Sequence, residues 1–171
     1  MKIVKNHYIV SEKVKKYSQI KDIVKEMIPF IDGGIKSGLY SDGFAVAHSQ
    51  VEDKNPLAFF VVNSIYVGKD KMWEDSAIIN PEIIEAPKSI NVGSEEEKDM
   101  KNNVVVYEEG CFSFPHRKPK KVKRYFRIKV RYYTKGLFSM KIYERWIEGM
   151  AAHVFQHELQ HLQGKNIYFE K

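Results

Sequence analysis

The sequence predicts an α+β fold, in which short and mostly antiparallel strands pack around one principal C-terminal helix. Compact apolar runs such as residues 58–62 are typical of buried strands. In residues 126–131, apolar and basic residues alternate with the period of two of a half-buried strand. Apolar residues between positions 144 and 163 instead recur at helical spacing.

An amphipathic helix is predicted first, over residues 18–31, from apolar positions at helical spacing. Gly33-Gly34 and Gly38 are expected to end it in a loop. This loop should lead into residues 41–51, a short segment rich in small residues.

Strands are expected next at residues 58–62 and 77–84. Pro81 lies in the second of these, and its missing N–H excludes it from a central ladder position. Residues 91–103 carry an acidic run and are predicted to form an exposed loop. A strand at residues 104–107 should follow and lead into Glu108-Glu109-Gly110-Cys111.

The C-terminal part is predicted as a hairpin followed by a helix. After the strand at 126–131, Thr134-Lys135-Gly136 is a plausible turn and residues 137–143 the returning strand. The helix should run over residues 144–163, with Gly164 at its C-terminal cap.

Composition is that of one soluble globular domain spanning residues 1–171. Hydrophobic residues make up 43% and charged residues 29% of the 171, which argues against global disorder. Cys111 is the single cysteine, so no intrachain disulfide can form. No secretory signal, transit peptide or membrane span is recognised, so we expect a cytoplasmic protein without a membrane partner.

The net charge is +6, and much of the basic excess lies in residues 117–131. Clustered lysines and arginines could contact the phosphates of RNA or a ribosome. The strand alternation within the same stretch offers another explanation, since one face of a half-buried strand is solvated. The sequence leaves both interpretations open.

Residues 157–161, His157-Glu158-Leu159-Gln160-His161, form an H-E-x-x-H motif in the predicted C-terminal helix. Helix positions i and i+4 differ by ~40° in azimuth, so both imidazoles can reach one metal ion. The stripe continues through Met150 and Val154, which indicates an apolar, inward face. Glu158 is offset by ~100° from His157. It can therefore contact a water at the metal without being a ligand, as a general base must.

The third ligand decides the class of the site. In metzincin proteases the motif continues with Gly and a third His; Gly164 fits, but the His position is Ile167. Thermolysin-like proteases use a Glu from a later helix, for which the chain up to Lys171 is expected to be too short. An upstream ligand is therefore expected. Cys111 is the natural candidate, because a thiolate and two imidazoles suit zinc or ferrous iron.

Three segments resemble the three signature motifs of peptide deformylases, in the family's order. GFAVAHSQ at residues 43–50 is similar to G-x-G-x-A-A-x-Q, and EGCFS at 109–113 is similar to E-G-C-x-S. QHELQHL at 156–162 is similar to Q-H-E-x-D-H-L, and residues 79–83 look like the family's preceding strand. The resemblance covers about residues 20–169.

This resemblance implies an activity: hydrolysis of the N-formyl group of N-formylmethionyl peptides or nascent chains, with release of formate. Cys111, His157 and His161 would hold Fe²⁺, with Zn²⁺, Ni²⁺ or Co²⁺ as replacements in a purified sample. Glu158 would take a proton from the attacking water and pass it to the leaving amine. The protein would act as a monomer, and residues 117–131 could contact the ribosome.

The resemblance also implies how the substrate is held. The side-chain amide of Gln50 and the backbone N–H of Phe112 would stabilise the developing oxyanion. The substrate backbone would lie along Gly110 and the strand around Val46. Residues 43–46 include the substrate-binding candidates Gly43, Ala45 and Val46, while Met150 and Val154 would line the pocket for the methionine side chain.

The chain departs from the family pattern at several positions. Ala45 replaces the second Gly of the first motif, which would narrow the approach of the substrate backbone. His48 replaces a small residue and is a candidate to face the substrate. Gln160 stands where the family usually has Asp, so a charged partner, with Arg124 as the candidate, would be lost or replaced.

Three functions remain in view. The leading hypothesis is a deformylase acting on nascent chains. A second is another metal-dependent amidase or peptidase on the same scaffold. The third is a weakly active, metal-binding homologue that associates with ribosomes or RNA through residues 117–131; the presence of Glu158 and Gln50 argues against it, since a purely structural metal site needs neither.

Overall fold

The computed structural model describes residues 1–4, 9–36, 43–88 and 102–169. Within these ranges the α-helices are α1 (Lys21–Lys36) and α2 (Gly149–Leu162). The strands are β1 (Ala45–Ala47), β2 (Phe59–Val62), β3 (Ala77–Glu85), β4 (Val104–Glu109), β5 (Lys120–Tyr125), β6 (Arg127–Lys135) and β7 (Met140–Glu148). The α+β class is confirmed. Neither α1 nor α2 is long and apolar enough to cross a membrane.

Antiparallel pairing joins the strands into two sheets. One has five strands in the order β1-β2-β3-β6-β7, and the other is a ribbon of β4 and β5. Strand β1 is thus an edge strand of the large sheet. The ribbon carries the chain toward Cys111, which follows β4 after one intervening residue.

Two apolar clusters lie on opposite faces of the large sheet. In β2, Phe60 and Val62 pack in the cluster that contains Val154 and Phe155 of α2, whereas Phe59 and Val61 pack in the cluster that contains α1 residues. Because both faces of β2 are covered, its sequence is a continuous apolar run rather than an alternation. Phe155 is fully buried, which fixes the rotation of α2 against the sheet.

Helix α1 continues further than the sequence indicated. Gly33 and Gly34, expected to end it, lie inside the helix, which runs to Lys36. Its buried face, Val24, Met27 and Ile31, packs against the sheet. Each such side chain contributes ~1.5–3 kcal/mol on burial, which outweighs the ~1 kcal/mol that a helical glycine costs. Gly38 lies outside the described residues.

Pro81 lies in β3, a strand with neighbours on both sides. The pairing of β3 with β6 shifts register between Ile79 and Glu82, so the proline occupies a bulge. Asn80 has a φ of 49° there, and its side chain bonds the backbone N–H and C=O of Val14. The bulge removes the need for the N–H that proline lacks.

The boundaries of the C-terminal hairpin and helix were predicted wrongly. Residues 137–139 belong to the turn, with Leu137 and Phe138 exposed, and β7 then runs to Glu148. Residues 144–148, predicted as helix, pair with β6, in which Arg127 lies opposite Glu148. Ile147 packs in the core from a strand rather than from a helix. Gly149, with a φ of 58°, separates the two elements.

The basic stretch holds two strands rather than one. The alternation in β6 is confirmed, since Ile128 and Val130 are buried. Strand β5 was not recognised, because its sequence Lys-Lys-Val-Lys-Arg-Tyr has little apolar character. The predicted strand at 104–107 extends to Glu109 as β4. Of the predicted loop at 91–103, all but Asn102 and Asn103 lies outside the described residues.

Candidate active site

Helix α2 presents His157 and His161 from its last two turns. The helix ends at Leu162, and Gly164, which was predicted to lie at its C-terminal cap, has a φ of 71°. The N–H of Gly164 bonds the carbonyl of His161 at 3.0 Å, and the N–H of Lys165 bonds the carbonyl of Gln160 at 2.9 Å. This pair of bonds is a Schellman motif, which satisfies the carbonyls of the last turn. The cap holds the helical turn that carries His161.

Cys111 and the two histidines of the motif converge on one point. Their three ligand atoms all lie within 4.8 Å of one another. The Sγ of Cys111 is 3.2 Å from Nε2 of His161, and the two Nε2 atoms are 3.3 Å apart. Nitrogens that share a tetrahedral ion at 2.0–2.1 Å lie ~3.3 Å apart. The separation of the two nitrogens therefore fits one bound metal ion.

The chemistry of the donors also fits a cation. Burial raises the pKa of the Cys111 thiol to about 12, so a thiolate at this position requires a positive charge beside it. Burial lowers the pKa of His157, which favours the neutral imidazole that a metal requires. The lowered pKa of His157 favours metal binding, whereas the Cys111 thiol has to lose its proton to an entering cation.

Glu109, the last residue of β4, is the centre of the hydrogen bonds behind the ligands. Its carboxylate accepts from Nε and Nη2 of Arg124 at 2.6 and 2.7 Å. It also contacts Nδ1 of His157 and Nε2 of His153, each at 2.9 Å. Because Nδ1 of His157 donates to this carboxylate, Nε2 of the same ring carries no hydrogen. Its lone pair is directed toward Cys111 and His161.

Glu109 stays ionised although it is buried. Burial alone would raise its pKa, but hydrogen bonds from Arg124, His153 and His157 hold that pKa well below the ordinary value of 4.5. The folded state therefore favours the ionised carboxylate. The resulting stabilisation is present above pH 4.5 and is lost as the pH falls toward the folded-state pKa.

We expect Glu109→Gln to destabilise the metal-free protein by ~3–5 kcal/mol at pH 7, because Arg124 would keep a buried charge without its partner. The difference from wild type should shrink as the pH falls below 4.5, the ordinary pKa of the group. Urea unfolding at pH 7 and pH 4 measures both effects. Glu108→Gln, at the exposed neighbour, is the control and should change stability by less than ~0.5 kcal/mol. Equal unfolding midpoints for Glu109→Gln and wild type at pH 7 would contradict this role.

Gln160 stands where the family usually has Asp, and its interaction with Arg124 was expected to be lost or replaced. Its Oε1 accepts a hydrogen bond of 2.9 Å from Nη2 of Arg124. The same Nη2 donates to Glu109, so the guanidinium bridges helix α2 and the ribbon. The interaction with Arg124 is therefore present, with a neutral amide as the acceptor.

Glu158 is 4% exposed and lines the cleft described below. Its Oε2 is buried and has no hydrogen-bond partner within the ranges that the structure describes. Burial raises the pKa of Glu158 to about 8, and a backbone hydrogen bond from Ala47 opposes the rise only in part. A carboxyl group that titrates near neutral pH can both accept and return a proton.

Gln50 is held with its amide nitrogen toward the cysteine. Its Oε1 accepts from the backbone N–H of Ala47 at 2.8 Å. Its Nε2 lies 3.7 Å from Sγ of Cys111 and 3.0 Å from Oγ of Ser113. The contact with Ala47 fixes which end of the amide faces the ligands, so Nε2 is a donor directed toward them.

A cleft of about 640 Å³ opens beside the ligands. Most of the sequence-predicted residues line it: Gly43, Ala45, Gly110, Cys111, Phe112, Met150, Val154, His157 and Glu158. His161, Gln50 and Val46 are buried and are not among the lining residues; the side chain of Val46 belongs to the apolar cluster shared with α1. A side chain at Gly43 would collide with the ring of Phe112, so glycine lets these two segments approach closely.

His48 does not face the cleft, contrary to the hypothesis raised by its place in the first motif. It is 5% exposed, and its ring stacks on Phe59 with centroids 4.8 Å apart. Its Nδ1 accepts a hydrogen bond from the N–H of Leu57 at 2.8 Å. Burial lowers the pKa of His48 to about 4, so the ring is a neutral core group.

From the sequence, Glu109 was assigned no role beyond its place in the second motif, and His153 was left open between the pocket and the helix surface. The period of two in β4 places Glu109 on the same side as Val105 and Tyr107, which are more buried than their neighbours. An acid at the buried end of a strand was the available signal. His153 lies one helical turn before His157, but its contact with Glu109 depends on the packing of α2 against the ribbon.

The family model of polypeptide deformylase matches residues 3–170 of the chain. A peptide deformylase of Thermotoga petrophila is 36% identical over 135 residues, which cover 78% of this chain and 65% of that protein. One from Thermotoga sp. (strain RQ2) is 34% identical over 157 residues, covering 91% of this chain and 77% of the relative.

Solved structures give a consistent result. The crystal structure of peptide deformylase from Thermotoga maritima aligns with a TM-score of 0.66 at 27% identity, covering 98% of this chain and 95% of that one. A peptide deformylase from Plasmodium falciparum aligns with a TM-score of 0.68 at 26% identity, covering 96% and 83%.

Proposed function

Because the chain belongs to the polypeptide deformylase family, we propose that it is a metal-dependent peptide deformylase formed by one catalytic domain over residues 1–171. The reaction is hydrolysis of the N-formyl group of N-formylmethionyl peptides and nascent chains. Water cleaves the formyl C–N bond, and the products are formate and a peptide with a free amino terminus.

The observation that carries this proposal is the convergence of Cys111, His157 and His161 beside a buried carboxyl group, Glu158, in an open cleft. We propose Fe²⁺ as the native ion, and the same donors also suit Zn²⁺, Ni²⁺ or Co²⁺. When bound, the ion supplies a Lewis acid that polarises the formyl carbonyl and lowers the pKa of water.

The side chains around the ion handle the proton and the developing charge. Glu158 accepts the proton of the attacking water and then delivers it to the leaving amine nitrogen. The Nε2 group of Gln50, directed toward Cys111 by its contact with Ala47, donates to the carbonyl oxygen as negative charge develops on it. We assign the second donor to the backbone N–H of Phe112.

Strand β1 supports the proposed binding of the substrate backbone. The carbonyl of Phe44 accepts from the N–H of Asn63, which directs alternate backbone groups of this strand toward β2. By the alternation of an antiparallel ladder, the N–H and C=O of Ala45 point from the free edge. An extended peptide can pair with that edge between β1 and Gly110, both of which contribute to the cleft lining.

The side chain of the formylated residue is proposed to lie against helix α2. Met150 is 38% exposed and Val154 is buried, and they line the cleft two turns and one turn before His157, respectively. An unbranched thioether side chain fits between such apolar groups. His153 adds a polar wall to the same pocket.

Formate release separates the proposed activity from its alternatives. Anaerobically prepared, Fe²⁺-loaded protein is assayed with formyl-Met-Ala-Ser, acetyl-Met-Ala-Ser and Met-Ala-Ser, and the products are identified by mass spectrometry. We expect formate from the first peptide, with kcat/KM above ~10⁴ M⁻¹s⁻¹ and at least ~100-fold above that for the acetyl peptide. Faster cleavage of an acetyl or internal amide would indicate another metal-dependent amidase or peptidase. Metal binding without turnover would indicate a non-catalytic homologue.

We further propose that the protein works in the cytoplasm as a monomer and contacts the ribosome through residues 117–131. Four basic residues of this stretch already contact carboxylates: Arg124, Arg127, Lys129 and Arg131. The exposed lysines at 118–123 are therefore the better candidates for phosphate contacts. Co-sedimentation with ribosomes should weaken with rising salt if these contacts form; salt-independent or absent co-sedimentation would contradict them.

A further inference from the structure

We propose that Arg117 binds an anionic group of the peptide substrate, a carboxylate located downstream of the formylated residue. This assignment rests on the proposed deformylase function and adds a preference among its substrates. Arg117 lies six residues after Cys111 and lines the same cleft as Cys111 and Glu158.

Three aromatic rings hold the guanidinium of Arg117 in place. Its Cζ atom lies 5.4 Å from the ring centroid of Phe114, 5.2 Å from that of Tyr168 and 4.5 Å from that of Phe169. The Phe114 ring packs edge-on against Tyr168, with centroids 5.3 Å apart. The hydroxyl of Tyr168 donates to the carbonyl of Lys118. The rings are therefore tied to one another and to the loop, and they limit the positions available to the guanidinium.

The hydrogen-bonding capacity of this group is not used within the part of the chain that the structure describes. Ring faces attract the positive charge but leave the five N–H donors of an arginine available for an oxyanion. The structure gives Arg117 no carboxylate within salt-bridge distance among those residues, whereas Arg124 donates to Glu109 and Gln160 through Nε and Nη2.

Arg117 differs from the other charged residues that line the cleft. Among the described lining residues, Arg117 is the one Lys or Arg. Glu109 is compensated by Arg124. The exposed Glu108 lies directly opposite Lys121 in the ribbon, and opposite charges that face each other across two strands attract. A peptide carboxylate that reaches Arg117 would thus meet a fixed positive group that is not already neutralised.

The direction of the substrate decides which part of it can reach Arg117. When the formylated terminus lies at Cys111 and Glu158, only the residues that follow it in the peptide can extend along the cleft toward Arg117. Arg117 is exposed, as expected for a residue at the mouth of the cleft rather than at its base. The carboxylate can come from an Asp or Glu side chain or from the C-terminus of a short peptide.

Paired peptides isolate the effect of charge. Formyl-Met-Ala-Ala-Ala amide is prepared with Asp or Asn at the second, third or fourth position, and the parent peptide is prepared as both amide and free acid. With metal-loaded wild type, we expect the Asp peptide to exceed its Asn counterpart roughly fivefold in kcat/KM at one or more positions. The gain should lie in KM and should shrink as salt rises. The free-acid arm tests the terminal carboxylate as the source.

Two variants and a neighbouring control complete the test. Arg117→Gln should reduce every Asp-to-Asn ratio to about one, while Arg117→Lys should keep part of it because the charge remains. Lys118→Gln, at an exposed residue that does not line the cleft, should leave the ratios at the wild-type value. Loss of packing alone would lower turnover of Asn and Asp peptides equally, and would not move the ratio.

Failure of this inference can be told apart from failure of the proposed function. Turnover of the Asn peptides reports deformylase activity by itself. If they are turned over but the Asp-to-Asn or acid-to-amide ratios are one or less, or are unchanged in Arg117→Gln, the role of Arg117 is wrong. If no formyl peptide is turned over, fluorescence anisotropy of labelled, unformylated Asp and Asn peptides tests Arg117 directly. Equal affinities for the two would then overturn it.

Discussion

Replacement of Glu158 by glutamine is expected to lower kcat/KM for formyl-Met peptides by about 10²–10⁴-fold while one metal ion per chain is retained. Glutamine keeps the shape of the side chain but cannot accept a proton at neutral pH. Glu158 lies outside the ligand cluster of Cys111 and the two histidines, so the ion should stay. The loss should therefore appear in turnover rather than in metal content.

Formate-release kinetics and metal analysis of the same Glu158→Gln sample provide the test. Glu108→Gln is the matched control, because Glu108 also lines the cleft but is exposed. The control should keep activity within a few-fold of wild type. Wild-type activity in Glu158→Gln would show that another group accepts the proton, and loss of the ion would show that Glu158 takes part in holding it.

Cys111→Ala is expected to abolish both metal binding and activity, and its effect on turnover should be at least as large as that of Glu158→Gln. The substitution leaves two imidazoles and removes the anionic donor. Burial raises the pKa of the Cys111 thiol to about 12, so an entering cation must displace its proton. Affinity for the ion should accordingly fall as the pH falls.

Metal content after anaerobic loading measures the first part of this prediction. In the Co²⁺-loaded protein, the sulfur-to-cobalt charge-transfer band should be present in wild type and absent in Cys111→Ala. Glu108→Gln is the control, since Glu108 lines the cleft but is not among the ligand atoms. An unchanged ion content in Cys111→Ala would mean that sulfur is not a ligand.

Local patterns were sufficient to predict the ligand cluster. A spacing of four residues on a helix brings His157 and His161 to the same side, whatever the rest of the fold does. Gly164 ended the helix because its positive φ of 71° is readily available only to glycine. The identification of Cys111 needed the further argument that a third ligand had to come from elsewhere in the chain.

The predicted boundaries of helices and strands were wrong where tertiary packing overrides the local preference of the sequence. Residues 144–148 contain apolar positions compatible with a helix, but pairing with β6 draws them into β7. Helix α1 likewise continues through Gly33 and Gly34, although glycine is a poor helix former, and its buried residues pack against the distant strand β2. Neither outcome can be read from a window of sequence, because the deciding partner is distant in the chain.

The hydrogen bonds behind the ligands depend on the same distant contacts. Glu109 on β4 meets Arg124 of β5 and both His153 and His157 of α2. Each of these residues is unremarkable alone, since charged residues and histidines are common at surfaces. Their function as one group arises only when the ribbon packs against the helix.

The short length of β1 has a consequence for the range of chains that can be processed. A strand of three residues at the edge of the sheet offers few backbone groups to a visiting peptide. Such contacts do not discriminate among side chains, and a small number of them gives weak retention. Brief, composition-tolerant capture suits the proposed activity, in which each newly made protein is released before the next is bound, and the limited edge also restricts unwanted self-association.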